Sequence, residues 1–158
     1  MDIIIETPKG SRQKYKYDEK YHLFRLHKTL PAGLVFLFDF GFIPETTGED
    51  GDPLDVMVIS EFTGFPGCLM DCRIIGCIQA EQSSGKKMIR NDRFLAVPEQ
   101  SAIFENVISI EDVPPTLIME IEDFLSTYIQ KEGKEFRLLG NVNALRAVSM
   151  IKKVKAVS

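Results

Sequence analysis

The sequence predicts an α+β fold, a small closed β-barrel with two helices at its C-terminal end. Two observations lead there. Short apolar or alternating stretches split by Gly and Pro fill roughly the first hundred residues, and the apolar period becomes helical from Pro115 onward. A length of 158 residues suffices for one domain with a real core and is short for two, so residues 1–158 are read as one domain.

Taken in order, strands are expected over residues 3–5, 15–17, 21–26, 34–38, 40–43, 54–59, 69–79 and 93–97, with Gly67 and the Ser83-Ser84-Gly85 turn marking ends. Their spacing, roughly 8 to 12 residues, favours a closed barrel over an open sheet. After Pro114 and Pro115, which suit a first helical turn, Leu117, Ile118, Ile121, Phe124, Leu125, Tyr128 and Ile129 recur at helical spacing opposite Glu120, Glu122 and Asp123. Gly133 is the expected stop. Leu145, Val148, Ile151 and Val154 predict a second helix capped by Asn141 or Asn143. No repeat, linker or low-complexity tract interrupts this layout.

Chemistry concentrates at Glu49-Asp50-Gly51-Asp52-Pro53-Leu54-Asp55, which runs straight into the apolar stretch Val56 to Ile59. Carboxylates tied this closely to a core call for a cationic partner. On a regular strand Asp55 would point away from Asp50 and Asp52, but Pro53 breaks the regularity, and a bend there could bring all three to one point. Hard oxygen ligands of this kind suit Mg²⁺ or Mn²⁺. A calcium-binding EF-hand is excluded: Pro53 and Leu54 fall inside the loop, Asp55 stands where that loop needs glycine, and no long helices flank it.

Composition narrows the classes further. The net charge of −4, from 19 basic and 23 acidic residues, argues against a surface built to bind nucleic acid. Hydrophobic content of 44% and charged content of 27% are globular, and no transmembrane span or signal peptide is read, so a cytoplasmic protein without a membrane partner is expected. Lys9, Arg12, Lys14, Lys16 and Lys20 crowd the N-terminal region, enough positive charge to hold a small anion. Cys68, Cys72 and Cys77 are odd in number, set among apolar residues and without zinc spacing, so they are read as small buried hydrophobes in a reduced compartment. His22 and His27 have no partner motif and are read as surface or packing residues.

The run Glu6-Thr7-Pro8-Lys9-Gly10-Ser11-Arg12-Gln13-Lys14-Tyr15 resembles the Glu-x-Pro…Lys-Tyr signature of the soluble family I inorganic pyrophosphatases. Asp50 to Asp55 is similar to their Asp-x-Asp-Pro-x-Asp signature, and the resemblance continues through 31–43, Arg90-Asn91-Asp92-Arg93 and Tyr128. It implies an OB-fold-like, five-stranded β-barrel with additional strands, and Mg²⁺-dependent hydrolysis of pyrophosphate to two phosphates, with Mn²⁺ as a possible substitute ion. It further implies that Asp50, Asp55 and Asp92 ligate metal, that Asp52 orients or deprotonates the attacking water, and that Lys14, Lys28, Arg93 and Tyr128 hold phosphate. Glu6 would act through water. A homo-oligomer, a hexamer as in bacterial members, is expected by analogy.

The chemistry explains the residue types. Pyrophosphate is a small polyanion that water attacks slowly unless its phosphoryl charge is neutralised and the water loses a proton near neutral pH, which divalent ions promote. Lysine and arginine then clamp the phosphates.

Several positions depart from the pattern of well-studied bacterial members. Lys16 stands where they carry Glu, Lys28 where they carry Arg, Phe36 and Phe40 where they carry Tyr, and Ile129 where they carry Lys. The expected acidic pair falls near Gln82 and Ser83, leaving Glu81 as a stand-in, and the spacing is one residue short, so Asn91 competes with Asp92 as the ligand; Asp92 is preferred because Asn is the weaker ligand for a hard dication. These losses motivate an alternative, a non-catalytic descendant that keeps a metal site and binds a phosphorylated ligand. An OB-fold module for single-stranded nucleic acid is disfavoured by the acidic balance.

Overall fold

The computed structural model describes residues 1–155. Its strands are β1 (Asp2–Thr7), β2 (Gln13–Asp18), β3 (Leu23–Thr29), β4 (Asp39–Phe42), β5 (Asp55–Val58), β6 (Leu69–Ser84), β7 (Lys87–Arg90), β8 (Arg93–Pro98) and β9 (Phe136–Asn143). Helix α1 (Pro115–Lys131) precedes β9, and α2 (Ala144–Lys155) follows it.

Five strands close on themselves in the order β1, β4, β5, β8, β6, with the first residues of β6 returning to β1. This is the expected five-stranded, OB-fold-like barrel. The 16-residue β6 makes closure possible, because its start pairs with β1, its middle with β8, and its far end with β7 and β9. A register shift between Ile74 and Gly76 bends it. Gly76 has no room for a side chain, since a Cβ there would lie 2.8 Å from both Ile110 Cβ and the Val142 carbonyl oxygen. The β2–β3 hairpin forms a separate two-stranded sheet.

The unbroken apolar runs of β5 and β8 follow from burial on both faces. Val56, Val58, Phe94 and Ala96 belong to one core with Ile3, Ile5, Cys77 and Ile151 of α2. Met57, Ile59, Leu95 and Val97 belong to a second core with Phe36, Phe40 and the buried face of α1. Period two then assigns Asp55 and Arg93, one residue before each run, to the α1 side. Pro115 opens α1 and Asn143 Oδ1 accepts the Arg146 N–H at the start of α2.

Three expectations need correcting. Residues 34–38 form no strand: Phe36 is fully buried, but its backbone bonds go to Gly10 and Ser11 in a loop. Strand β9 lacks the apolar alternation that would announce it, because most of its residues are exposed where it extends the far end of β6. Leu145 of α2 is exposed, and Ala147 and Ile151 supply the buried face instead. Cys72 and Cys77 are buried free thiols, and burial pushes the Cys72 thiol up to about 12. No helix among the described residues is long and apolar enough to cross a membrane.

Candidate active site

The loop between β4 and β5 carries Asp50 and Asp52, and its shape is set by short polar contacts. Thr46 Oγ donates to the Ile43 carbonyl and accepts the Leu54 N–H, tying the loop's two ends together. Within it, the Gly48 N–H reaches the Asp52 carbonyl at 2.8 Å and Asp50 Oδ1 accepts the Asp52 N–H at 3.2 Å. Gly51 takes φ +87°, a conformation that favours glycine.

The bend does not bring the three aspartates to one point. Asp50, Asp55 and Asp92 line one cavity of about 190 Å³ together with Glu49, Arg90 and Asn91. Asp52 and Asp55 line a second cleft of about 730 Å³ with Glu6 and Lys16. Asp55 is common to both.

Charge in this region is largely compensated from within. Lys16 Nζ lies 2.9 Å from Asp52 Oδ2, Arg93 Nη1 3.1 Å from Asp55 Oδ2, and Arg90 Nε 2.6 Å from Asp92 Oδ1. Asp92 Oδ1 also accepts the Ala80 N–H at 3.1 Å, whereas the Asn91 carboxamide oxygen is taken by Arg93. Asp50 has no such ion pair among the described residues; burial, with Asp55 and Asp52 nearby, raises its pKa. Glu6, buried at the end of β1 and accepting the Tyr17 N–H at 2.9 Å, is likewise raised by burial and then by Asp55.

The basic residues gather over an aromatic floor. Phe36, Phe40, Phe124 and Tyr128 contact one another with ring centroids 5.6 to 5.9 Å apart. Lys14 Nζ sits 5.7 Å from the Phe40 ring centre and 5.5 Å from that of Tyr128, Lys28 Nζ 5.3 Å from Tyr128, and the Arg93 guanidinium 6.0 Å from Phe40. Burial, reinforced by Lys28 and Arg93, pushes Lys14 down to about 8. Arg93 is the hinge between the two groups, over Phe40 on one side and paired with Asp55 on the other.

Sequence reasoning missed Glu132. It pairs with Lys28 at the end of α1, and although burial alone would raise its carboxyl, Lys28, Tyr128 and Lys14 hold it below the usual range. Its spacing of four from Tyr128 on the helix was the available signal. Arg90, the partner of Asp92, was missed as well. Glu81 lies apart from the two cavities and pairs with Arg137 of β9 at 3.5 Å.

Residues 3–157 match the family described as inorganic pyrophosphatase. The chain belongs to the inorganic pyrophosphatase family. It is 35% identical over 154 residues to the inorganic pyrophosphatase of Methanosarcina acetivorans, covering 98% of this chain and 89% of that one. It is 36% identical over 140 residues to that of Nostoc, covering 89% and 80%. The crystal structure of the inorganic pyrophosphatase from Thermus thermophilus superposes with a TM-score of 0.91 at 30% identity, over 99% of this chain and 90% of that one. Family membership thus covers both the Asp50–Asp55 loop and the Lys14, Arg93 and Tyr128 cluster.

Proposed function

We propose that this chain hydrolyses inorganic pyrophosphate to two orthophosphates with Mg²⁺, or Mn²⁺ in its place. The observation that carries the proposal is the Asp55–Arg93 pair, which joins a carboxylate-lined cavity to a cluster of cations in a chain of this family. The donors are of the kind a hard dication takes, since four carboxylates, Glu49, Asp50, Asp55 and Asp92, line one cavity; among the described residues no three of them already stand gathered around one point, so binding would draw them together. Asp50, Asp55 and Asp92 would hold it. When bound, it neutralises phosphoryl charge and lowers the pKa of water.

The chain's own groups do the rest. Lys14, Lys28 and Arg93 hold the phosphates, with Tyr128 forming part of the surface beneath them. Asp52, exposed on the open cleft, takes the proton of the attacking water as its oxygen bonds to one phosphorus. The bridging oxygen then leaves with its electron pair on the second phosphate. Glu6, buried beside Asp55, acts on that cleft through water.

Assembly into a homo-oligomer, a hexamer by family analogy, and a cytoplasmic setting belong to the same proposal. Exposed Ile103, Ile108 and Leu145 offer apolar surface for such contacts. Phosphate release from pyrophosphate, ATP and a phosphomonoester, each with and without Mg²⁺, tests the function: metal-dependent release from pyrophosphate alone is expected, and no turnover with metal present overturns it.

A further inference from the structure

Among the described residues, the 730 Å³ cleft beside the aspartate loop is lined by five acidic side chains, Glu6, Glu19, Glu45, Asp52 and Asp55, and by one basic one, Lys16. Lys16 projects from β2, and its ammonium contacts Asp52 at 2.9 Å. Burial would lower its pKa, but Asp52, Glu6 and Asp55 together raise it, so all three act on the one charge. Both partners of the pair are substantially exposed, at 37% and 57%, which makes the pair a weak contributor to stability. Its leverage falls instead on any other cation that comes close to the cleft.

We propose that Lys16 is a built-in counter-cation that opposes divalent metal at the adjoining Asp50–Asp55–Asp92 cavity, acting across Asp55, which lines both. The proposal rests on the metal-dependent reading above. A tethered ammonium cannot diffuse away as a free ion does, so metal arriving at Asp55 meets a fixed positive charge on the neighbouring side and pushes it outward. Displacement also releases Asp52 from its partner, which links filling of the site to freeing the proton acceptor. The three ion pairs are not equivalent in this respect: Arg93 is buried and held by Asn91 as well as Asp55, whereas Lys16 can swing into solvent. Lys16 therefore sets how much metal is needed before the loop is loaded.

Calorimetric titration of Mn²⁺ into the metal-free full chain tests this directly, without reference to turnover. Lys16→Gln is expected to tighten Mn²⁺ binding on the order of tenfold, the effect of removing one charge several ångströms from a dication beside a solvent-rich cleft, and Lys16→Glu to tighten it further. Lys86→Gln, at the exposed β6–β7 turn, is expected to leave binding unchanged. In an Asp52→Asn background the gain from Lys16→Gln should shrink, because the ammonium is no longer held in place. Equal affinities for the parent chain and Lys16→Gln, both folded by circular dichroism, overturn the role of Lys16 while leaving the metal site standing. Absence of Mn²⁺ binding by every variant overturns both.

Discussion

Asp55 and Arg93 are register partners on parallel strands β5 and β8, and their side chains meet at 3.1 Å, with Arg93 almost entirely buried. Parallel pairing thus brings together residues nearly forty positions apart in sequence at the mouth of the barrel. Arg93 also donates to the Asn91 carbonyl at 2.8 Å. Arg93→Met keeps much of the side-chain volume but leaves Asp55 without its cation, and breaking a buried pair from one side costs about 3 kcal/mol. A clear drop in urea midpoint is expected, with Arg93→Lys intermediate because one charge survives without the fork.

Asp52→Asn removes a charge and almost no volume. The residue is exposed and its ion pair with Lys16 is weak, so thermal stability should stay close to that of the parent. Turnover should fall on the order of a hundredfold or more, the usual worth of a positioned base. Activity within a few-fold of the parent would remove Asp52 from the base role.

Much of the barrel was legible because β5 and β8 run apolar without a break after their first residues, Asp55 and Arg93, and Pro115, Gly133 and Asn143 punctuate the helices as their chemistry demands. Strand β9 was not, because register with β6 rather than any apolar pattern of its own holds it in place. Phe36 misled for the opposite reason, since its burial is achieved from a loop tied to Gly10 and Ser11. At the site, the aspartate loop declared its chemistry through charge density, but its internal partners did not. Arg90 and Glu132 acquire meaning only when β6–β7 pairing and the end of α1 bring them to Asp92 and Lys28.

Gly41 of β4 faces β1 so closely that a Cβ would fall 2.1 Å from the Ile4 carbonyl oxygen. The clash is with backbone and no rotamer can relieve it. Gly41→Ala must therefore spread β1 from β4 and open the barrel seam beside the irregularity at Glu6. Destabilisation of about 3 kcal/mol or failure to fold is expected, against a few tenths for Gly85→Ala beyond the strain of its positive φ. Denaturant unfolding of the two variants separates steric from conformational cost.

Tyr128→Phe distinguishes packing from chemistry at a residue that is 4% exposed and stacked on Phe124 at 5.9 Å. The ring, its stacking and the cation–π contacts of Lys14 and Lys28 are all retained. Stability should change by less than about 1 kcal/mol. If the hydroxyl helps hold phosphate, KM for pyrophosphate rises several-fold; an unchanged KM makes Tyr128 a core residue and platform only.

Lys14 supplies the pH dependence. Burial, then repulsion from Lys28 and Arg93, lowers its ammonium to about 8 in the folded protein, against opposing attraction from Asp55 and Glu132. In an unfolded chain the same group keeps its proton to about 10.4. Between these values the unfolded state binds the extra proton, so this group's contribution makes stability rise with pH across that window; below it both states are charged and the cost of burial is constant. Substrate reverses the preference, since a polyanion favours the ammonium. KM for pyrophosphate is therefore expected to climb as pH passes through about 8, measured with the magnesium–pyrophosphate concentration held fixed. Lys14→Arg keeps its charge throughout and should flatten that limb; a profile unchanged from the parent would assign the titration to another group.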